Sequence, residues 1–453
     1  MSLSSHSLSL SLALAAFLPL AACGSPAPDG ETSVTAATDE ALTSVCASGA
    51  RRCDLLQDSA LTCVSGQWQA TACAIGCEAA QCAVCTDGDL LCTASHTVRN
   101  CSGGQWQTTT TPCSSAKVAV GEGTSYLLGN ASLTAWGRGA EGELGNGTAP
   151  KSGTATPMPV SLAGKVFDVV AAGQNACALV TDGTVWCWGA RDGVIPVDGS
   201  DSGAAQSTPV QIPLLGNVTQ IAIGGMNGAP AHACAISNGA VYCWGDNSEW
   251  EVGVASTAPQ KPTAVGLTGV TQISLGDPFS CALLTNGGVR CWGGDDEGEL
   301  AIAPAAGESY TPVTIPLLPA TEIFAGRNSE CALTKSGVYE CWGDNDQGEL
   351  GLGNKVTPIT TPTQAANLAT ATALSLGVNH SCGIFAGAAK CWGDNANSTL
   401  GNGTLPSLVP VQALALTTGV TSIAVATDHV CALASGVASC WGLNDQGQLG
   451  STK

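Results

Sequence analysis

The chain has 453 residues, 23 cysteines and a formal net charge of −20 at pH 7. A charge of that sign and size repels nucleic-acid phosphates, so the composition argues against a role in binding DNA or RNA. Cysteines in this number and at regular spacings are typical of an oxidising compartment, which argues against the reducing cytoplasm.

Residues 1–23 predict an export signal. Residues 8–20 are mostly apolar but too short to span a bilayer, as in the core of a signal peptide. The sequence LAACG at residues 20–24 resembles the lipobox of bacterial lipoproteins. This resemblance implies that Cys23 is lipidated and becomes the mature N-terminus. The alternative is an ordinary cleaved signal peptide in which Cys23 is a chance residue.

Residues 24–45 are small, polar and acidic, so we expect a flexible tether. No second apolar segment of membrane length follows, and the expected attachment to a membrane is therefore only through the lipid on Cys23. The expected location is the bacterial cell envelope, with the chain lipid-anchored at the outer membrane or surface, or secreted.

Residues 46–115 predict a small Cys-rich module built from a tandem duplication. Units this short bury too little apolar surface to be stable without cross-links, so we expect disulfides of open connectivity. Zinc is the rival interpretation because Cys82 and Cys85 have a C-x₂-C spacing, but no second such pair occurs here. The matching cysteines of the two copies are Cys46, Cys53, Cys63 and Cys73, and Cys85, Cys92, Cys101 and Cys113.

Residues 116–453 contain a Trp-Gly pair that recurs about every 50 residues, the period of a repeated supersecondary unit. Short apolar runs alternate with Gly, Asn, Asp and Ser clusters, a pattern typical of strands and turns. About four short strands in each of seven repeats predict an all-β seven-bladed β-propeller. The pairs begin at Trp136, Trp188, Trp244, Trp292, Trp342, Trp392 and Trp441.

Six of the repeats carry two cysteines around a hairpin turn. Loops such as Asn238-Gly239 and Thr181-Asp182-Gly183 place the two cysteines opposite each other at a non-hydrogen-bonded site, which favours a disulfide. Six pairs of buried free thiols are the alternative. In the first repeat we expect Ser125 and Ala135 at the matching positions. The predicted bridges are Cys177–Cys187, Cys234–Cys243, Cys281–Cys291, Cys331–Cys341, Cys382–Cys391 and Cys431–Cys440.

Pro-led stretches between the Trp-Gly pairs, such as TPVQIPLL and TPVTIPLL, predict the outer strand of each blade. There are seven hairpins but only six such stretches. We therefore expect the seventh blade to take its fourth strand from upstream, near Thr111 to Lys117, so that adjacent termini close the ring.

Residues 342–351 read WGDNDQGELG and residues 441–450 read WGLNDQGQLG, and both resemble the repeat of the regulator-of-chromosome-condensation family. The resemblance covers roughly residues 116–453 and implies a seven-bladed propeller. The founding activity of that family is nucleotide exchange on a nuclear GTPase, and no residues here match an exchange site. Fold alone does not carry that activity over.

Motifs for catalysis are absent from the sequence: it has no P-loop, G-x-S-x-G or H-E-x-x-H. His232, His380 and His429 share one repeat position, two residues before a hairpin cysteine, and we expect them to pack structurally near the shaft. Acidic residues around Asp295 and Asp344 predict solvated loops, with a Ca²⁺ site as the alternative. No catalytic residue, cofactor or metal ion is expected.

The loops after Trp188, Trp244 and Trp292 depart from the repeat in three consecutive blades. Exposed Trp and Arg residues are typical anchors of interfaces, so these loops predict a binding patch. Neutral drift of surface loops is the alternative. The predicted patch consists of Arg191, Asp192, Glu249, Trp250, Glu251, Asp295 and Asp296.

Together these features predict a non-catalytic, monomeric binding or scaffold protein that displays a β-propeller at the bacterial surface or in the periplasm. The expected partner is an unknown protein or glycan, and not a nucleic acid. The alternative is a glycan-active hydrolase or lyase that uses the propeller rim, which requires a converging carboxylate pair or a Tyr/Arg cluster.

Overall fold

The computed structural model describes the strand backbone between residues 51 and 112 and describes residues 116–450, apart from gaps at 130, 163, 191–193, 195–204, 214, 226–230, 259, 303–306 and 404. The chain divides into two compact units, Met1–Thr111 and Pro112–Lys453. The signal peptide with Cys23, the tether at 24–45 and the cysteine pairing within 46–115 lie outside the described residues. In the part of the chain that is described, no helix has the length and hydrophobicity that a bilayer crossing requires.

The N-terminal unit contains two antiparallel three-stranded sheets and a two-stranded one. The two larger sheets have the same simple order, in which each strand pairs with the next in the chain. They coincide with the two copies of the tandem duplication. The strands are β1 (Arg51–Asp54), β2 (Ser59–Val64), β3 (Gln67–Ala72), β4 (Cys77–Glu78), β5 (Gln81–Cys82), β6 (Leu90–Cys92), β7 (Thr97–Ser102) and β8 (Gln105–Pro112).

The second unit is a seven-bladed β-propeller, as the repeat predicts. Six antiparallel sheets have four strands and the seventh has three, in chain order from the first strand to the last. Blades 1 to 4 comprise β9 (Lys117–Gly121), β10 (Thr124–Gly129), β11 (Ser132–Gly137), β12 (Thr154–Pro159); β13 (Val166–Ala172), β14 (Asn175–Val180), β15 (Val185–Gly189), β16 (Gln206–Gln211); β17 (Val218–Gly224), β18 (His232–Ser237), β19 (Ala240–Gly245), β20 (Gln260–Thr268); and β21 (Val270–Leu275), β22 (Phe279–Leu284), β23 (Val289–Gly293), β24 (Ser309–Thr314). Blades 5 to 7 comprise β25 (Ala320–Ala325), β26 (Ser329–Thr334), β27 (Tyr339–Gly343), β28 (Ile359–Gln364); β29 (Ala371–Leu376), β30 (His380–Phe385), β31 (Ala388–Gly393), β32 (Ser407–Gln412); and β33 (Val420–Val425), β34 (His429–Ala434), β35 (Val437–Gly442), with one turn of 3₁₀-helix at Ala366–Leu368.

The hydrophobic core lies between blades rather than within one. One cluster, for example, combines Leu179 and Val185 of blade 2 with Ile221 and Trp244 of blade 3. Each blade has two apolar faces, and each face is buried only when the neighbouring blade covers it. The repeat therefore folds as a ring because a single blade has no core of its own.

The predicted hairpin disulfides are confirmed in all six cysteine-bearing blades. Cys177 pairs opposite Cys187 and Cys234 opposite Cys243, in the register expected from loop length. The Cα atoms of the six pairs are 4.0–4.1 Å apart, which is the close spacing of a non-hydrogen-bonded pair. The loop residues Asn238 and Gly239 have φ of 51° and 76°, the positive values that a two-residue hairpin turn requires.

The expected cysteine equivalents in the first blade are wrong by one residue. Tyr126, not Ser125, pairs opposite Ala135, because this hairpin has a two-residue loop and its partners are therefore closer in sequence. The Tyr126 side chain is buried and its hydroxyl donates to the Glu143 carbonyl at 2.6 Å. Blade 1 thus replaces the bridge with a buried aromatic side chain.

The predicted closure of the ring by an upstream strand is also wrong. Thr111 belongs to β8 in the N-terminal unit, and Lys117 begins β9, the first strand of blade 1. Among the described residues, blade 7 consists of β33, β34 and β35 alone. The described part of the chain thus pairs no fourth strand with β35, and the ring closes through contacts between blades 7 and 1 instead.

Candidate binding site

The tryptophan of each Trp-Gly pair joins its blade to the preceding one. Its indole N–H donates to a backbone carbonyl in the loop that follows Trp-Gly in the preceding blade, which we call the post-Trp-Gly loop. The bond from Trp136 to Gln448 closes the ring in the same way. The seven bonds are Trp136–Gln448 (2.9 Å), Trp188–Glu143 (2.8 Å), Trp244–Val194 (2.9 Å), Trp292–Glu251 (2.8 Å), Trp342–Glu299 (2.7 Å), Trp392–Glu349 (2.8 Å) and Trp441–Thr399 (2.7 Å).

The glycine that follows each tryptophan is required by backbone geometry. Gly189 has φ of +119°, and a Cβ atom there would lie 2.2 Å from the carbonyl oxygen of Gln174. Only glycine tolerates both the conformation and the approach. The Trp-Gly repeat therefore records an interblade hydrogen bond and a tight backbone crossing, not a ligand site.

Most post-Trp-Gly loops also contain a buried glutamate or glutamine, whose burial the sequence analysis did not predict. One oxygen of its side chain accepts the backbone N–H two residues earlier, at 2.8 Å for Glu299 and 2.8 Å for Gln448. Burial raises the pKa of Glu251 and of Glu299 to about 8. The recurring Gly-Glu-Leu or Gly-Gln-Leu after Trp-Gly was the available signal.

The structure brings together only part of the predicted patch. Arg191 and Asp192 lie outside the described residues. Glu251 is 3% exposed and forms part of the interblade contact, so its place in an exposed patch is wrong. Asp295 is half-buried and accepts the Leu300 N–H at 2.8 Å. Burial raises the pKa of Asp295 to about 6, with Asp296 adding to the shift.

Trp250 has an unusual backbone and an unusual neighbour. Its φ is +64°, at a loop position where Gly298 and Gly348 have +85° and +83°. The side chain is half-buried, and the indole N–H is buried without a hydrogen-bond partner. The indole meets the ring of Tyr310 edge to face, with centroids 6.0 Å apart. Tyr310, the second residue of β24 in the next blade, is 44% exposed.

Carboxylates surround this aromatic pair. Burial raises the pKa of Glu249, and Glu308, Asp296 and Asp246 raise it further. Burial likewise raises the pKa of Glu297, with contributions from Asp344, Asp296 and Asp346. Carboxylates of one loop thus raise the pKa of a glutamate in the next. The post-Trp-Gly loops of blades 3, 4 and 5 therefore lie close together and form one acidic surface. This acidic ridge consists of Asp246, Glu249, Asp296, Glu297, Glu308, Asp344 and Asp346.

The histidines that share a repeat position are buried between blades, which agrees with a structural role. His232 Nε2 lies 2.9 Å from Ser280 Oγ of the next blade, and His429 Nε2 lies 2.9 Å from Ser125 Oγ. Burial lowers the pKa of His232 and of His429 to about 3. They are therefore neutral in the folded protein at ordinary pH.

A shaft of about 590 Å³ runs where the first strands of the blades converge. The polar side chains that line it are bonded to one another or to backbone. Lys117 pairs with Asp168, and the Gln220 amide bonds both the N–H and the carbonyl of Ile273 at 2.9 Å and 3.2 Å. These contacts join neighbouring blades, so the acidic ridge is the better candidate for a binding surface.

Comparison with known families identifies the repeat. A sequence profile described as "Regulator of chromosome condensation (RCC1) repeat" matches residues 270–299, and a second profile of the same description matches residues 238–283 and 338–384. The matched segments of the chain are therefore RCC1-type repeats. The matched segments include the Trp-Gly pairs of blades 3, 4 and 5 and the whole hairpin of blade 4.

Curated relatives match over part of these RCC1 repeats. The human E3 ubiquitin-protein ligase HERC2 is 34% identical over 154 residues, which are 33% of this chain and 3% of HERC2. The mitochondrial RCC1 domain-containing protein RUG3 of Arabidopsis thaliana is 31% identical over 160 residues, 33% of this chain and 35% of RUG3. The chain thus matches only a small part of each relative's own length.

Solved RCC1-type structures share the fold. Yeast RCC1 (Prp20), in a crystal structure with Kap60, superposes with a TM-score of 0.58 at 20% identity and covers 73% of this chain and 81% of its own. Human WBSCR16 superposes with a TM-score of 0.61 at 18% identity and covers 73% and 91%. Identities this low establish the propeller and leave its ligands open.

Proposed function

We propose that this RCC1-repeat protein is a non-catalytic binding protein whose propeller presents the acidic ridge, with Trp250 and Tyr310, to a protein partner. The partner's surface is basic, because a ridge of carboxylates on a chain of net charge −20 attracts positive charge. The same charge disfavours nucleic acid. The chain works as a monomer that offers its rim to the partner.

The observation that carries this proposal is the backbone of Trp250. A side chain at φ of +64° costs about 1–2 kcal/mol relative to glycine, which occupies this position in blades 4 and 5. Blade 6 has Ser398 here with φ of 60°, but a side chain as bulky as that of Trp250 is a genuine outlier at positive φ and points to a compensating role. A half-buried indole with an unpaired N–H beside an exposed tyrosine has the composition of an interface anchor.

The described partners of related propellers support a protein ligand. One solved structure is of yeast RCC1 bound to Kap60, and another study of yeast Prp20p describes binding to Gsp1p and histones. These partners belong to those proteins. They support the use of an RCC1 propeller as a platform for protein binding, with the specific partner of this chain set by its own rim.

The setting that we propose is the bacterial envelope. The apolar core at 8–20, the lipobox-like sequence at 20–24 and the acidic tether at 24–45 favour a chain lipidated at Cys23 and held at a membrane surface. The six hairpin disulfides support an oxidising compartment.

One observation favours the enzymatic alternative. Glu249 and Glu308 interact beside Trp250 and Tyr310, and both burial and Glu308 raise the pKa of Glu249. A pair of interacting carboxyl groups beside aromatic rings is an arrangement that glycan-cleaving enzymes use. Turnover of cell-wall glycans by the full chain, lost in Glu249→Gln, would favour this reading over simple binding.

The test is capture of a partner from envelope extracts with immobilised full-length protein. Trp250→Gly removes the indole while restoring the residue type used in other blades, and we expect loss of the captured partner. Trp186→Ala, at a half-buried tryptophan of blade 2 outside the ridge, is the matched control and should retain it. Capture that is unchanged in Trp250→Gly and insensitive to salt would refute the proposal.

A further inference from the structure

The post-Trp-Gly loop of blade 5 brings three carboxylates together. Oxygens of Asp344, Asp346 and Glu349 all lie within 4.8 Å of one another. Asp346 is exposed, Asp344 is half-buried and Glu349 is only 1% exposed. Glu349 Oε2 accepts the Gln347 N–H at 3.0 Å, whereas its Oε1 is buried without any hydrogen-bond partner. A buried carboxylate oxygen without a partner is costly unless something positive compensates it.

In blade 1 the oxygen equivalent to Glu349 Oε1 has a positively charged neighbour. There the equivalent Glu143 uses Oε2 to accept the Glu141 N–H, and its Oε1 lies 3.0 Å from Nε of Arg138. Arg138 is the first residue after Trp-Gly, which is the position of Asp344 in blade 5. The repeat therefore places Asp344 where blade 1 has Arg138, and carboxylate oxygens of Asp344 and Glu349 lie within 4.8 Å of each other. Where blade 1 supplies a cation, blade 5 supplies more negative charge.

Blade 4 satisfies the same oxygen in another way. Glu299 Oε1 accepts the Asn328 amide at 2.9 Å from the next blade. In blade 7 the position holds Gln448, whose Nε2 donates to Asp445 at 3.1 Å. Of the loops that the structure describes, blade 5 alone combines the three carboxylates with a buried oxygen that has no donor.

The sequence shows how specific this combination is. Blade 3 has Ser248 in place of Asp346, and blade 6 has Ala396 and Thr399 in place of Asp346 and Glu349. Blade 4 has Gly294 in place of Asp344, and blade 7 has Leu443 there. The loop forms in other blades without the full set of carboxylates. The fold therefore does not require all three of them.

Repulsion within the group is considerable. Burial raises the pKa of Glu349 to about 7, and Asp344 and Asp346 raise it as well. Glu297 of the adjacent loop adds to the negative charge and is itself affected by Asp344 and Asp346. The nearby cation is Lys355, whose ammonium group bonds the Gln347 side chain at 3.0 Å.

We propose that Asp344, Asp346 and Glu349 bind a Ca²⁺ ion. Carboxylate oxygens are hard ligands, and Ca²⁺ accepts six to eight oxygens in flexible geometry, including waters, which the exposed side of Asp346 admits. The ion takes the electrostatic role that Arg138 has in blade 1. This replaces the expectation of a merely solvated loop without metal. The site shares Asp344 and Asp346 with the acidic ridge, but its test does not depend on the partner proposed above.

The test uses terbium as the probe and calcium as the competitor, on the full chain. Trp392 donates to the Glu349 carbonyl at 2.8 Å, so an indole lies beside the site and sensitises bound Tb³⁺. We expect luminescence that Ca²⁺ displaces, with a Kd of about 10⁻⁴–10⁻³ M or tighter, as in extracellular calcium modules. Isothermal titration with Ca²⁺ alone gives the stoichiometry, expected to be one ion per propeller.

Two variants remove single ligands without disturbing the loop. Asp346→Asn changes an exposed side chain, and Glu349→Gln introduces the residue that blade 7 already has as Gln448. Each should weaken Ca²⁺ binding at least tenfold. The control is Asp445→Asn. Asp445 has the position of Asp346 in blade 7, but Leu443 and Gln448 replace the other two carboxylates there. The Ca²⁺ affinity of this variant should match that of the wild type.

Three results would overturn the assignment. They are the absence of any Ca²⁺-displaceable signal in the wild type, an affinity in Asp346→Asn and Glu349→Gln equal to that of the wild type, and binding of Mg²⁺ as tight as that of Ca²⁺. Unfolding curves in chelator, in which both variants should unfold cooperatively and be no less stable than the wild type, separate a lost ligand from a lost fold.

Discussion

The indole N–H of Trp136 in the first blade donates to the carbonyl oxygen of Gln448 in the last, at 2.9 Å. Ser125 donates to the same oxygen at 2.8 Å. This is the bond that every other blade makes to its predecessor, repeated across the point where the chain begins and ends its circuit. The ring therefore closes by side chains and a loop, and no fourth strand is present in blade 7 among residues 116–450 as described.

The closing bond should contribute measurably to stability. Trp136→Phe removes the donor and part of a buried side chain, so we expect the free energy of unfolding to fall by about 2–4 kcal/mol. Urea unfolding at constant pH measures the change. Trp186→Phe is the control, because Trp186 is half-buried and bonds only Thr184, and it should cost less than about 1 kcal/mol. Equal effects of the two substitutions would show that closure does not depend on this bond.

Each hairpin disulfide should stabilise its blade. The chain-entropy account gives about 2–3 kcal/mol for a loop this short, so the double variant Cys382→Ala and Cys391→Ala should lose about that much in oxidising buffer. Treatment of the variant with reductant should then cost less further stability than the same treatment of the wild type. A double variant as stable as the wild type would rule out a stabilising role for this bridge.

Stability should rise as pH falls from 8 towards 6.5. The pKa of Glu251 and of Glu299 is about 8 in the folded protein against 4.5 when exposed, so their contribution is fully present below 4.5 and is lost as pH rises through 8. The pKa of His232 and of His429 is about 3 against 6.5, so their contribution is present above 6.5 and is lost as pH falls towards 3. The maximum should therefore lie between pH 4.5 and 6.5.

The glutamate part of that profile can be isolated with Glu251→Gln. Gln448 shows that an amide fits this loop position, so the variant should fold. Between pH 6 and 8 the wild type should lose about 2 kcal/mol more than the variant. Parallel curves for the two proteins across this range would mean that Glu251 is ionised in the folded state.

Stability and binding should separate at Trp250. Trp250→Gly relieves the positive φ, worth about 1–2 kcal/mol, but removes the contact with Tyr310, worth about 0.5–1.5 kcal/mol beyond its buried area. We therefore expect a change in unfolding free energy within about 1 kcal/mol of zero, together with loss of partner capture. A large destabilisation would assign Trp250 to the fold instead of the interface.

The propeller and its hairpin staples were predictable from the sequence because both depend on local periodicity. A loop of two or three residues fixes which cysteines face each other, so the spacing of Cys234 and Cys243 determines the pairing. The same logic failed at Tyr126, where the absence of cysteines left the loop length unmarked and the register one residue off.

Ring closure and the site were less predictable because they depend on contacts between blades distant in sequence. Because the sequence has seven hairpins but only six Pro-led outer strands, it suggested that blade 7 takes a strand from upstream. The contact that closes the ring instead joins Trp136 and Gln448, which are far apart in sequence and meet only in the folded ring. Likewise, no feature of the nearby sequence predicts that Tyr310 contacts Trp250. None predicts that Glu251 is buried and accepts the indole N–H of Trp292 at its carbonyl. The buried glutamate or glutamine of most loops follows the repeat, but its role became clear only with the interblade hydrogen bond.

The central claim is a closed ring of disulfide-stapled hairpins that works outside the reducing cytoplasm. Peptide mapping by mass spectrometry under non-reducing conditions, on protein recovered from the cell envelope, tests it most directly. The account predicts six bridges between the cysteines 9 or 10 residues apart in blades 2 to 7. Free thiols at those twelve positions, or bridges that join different blades, would contradict it.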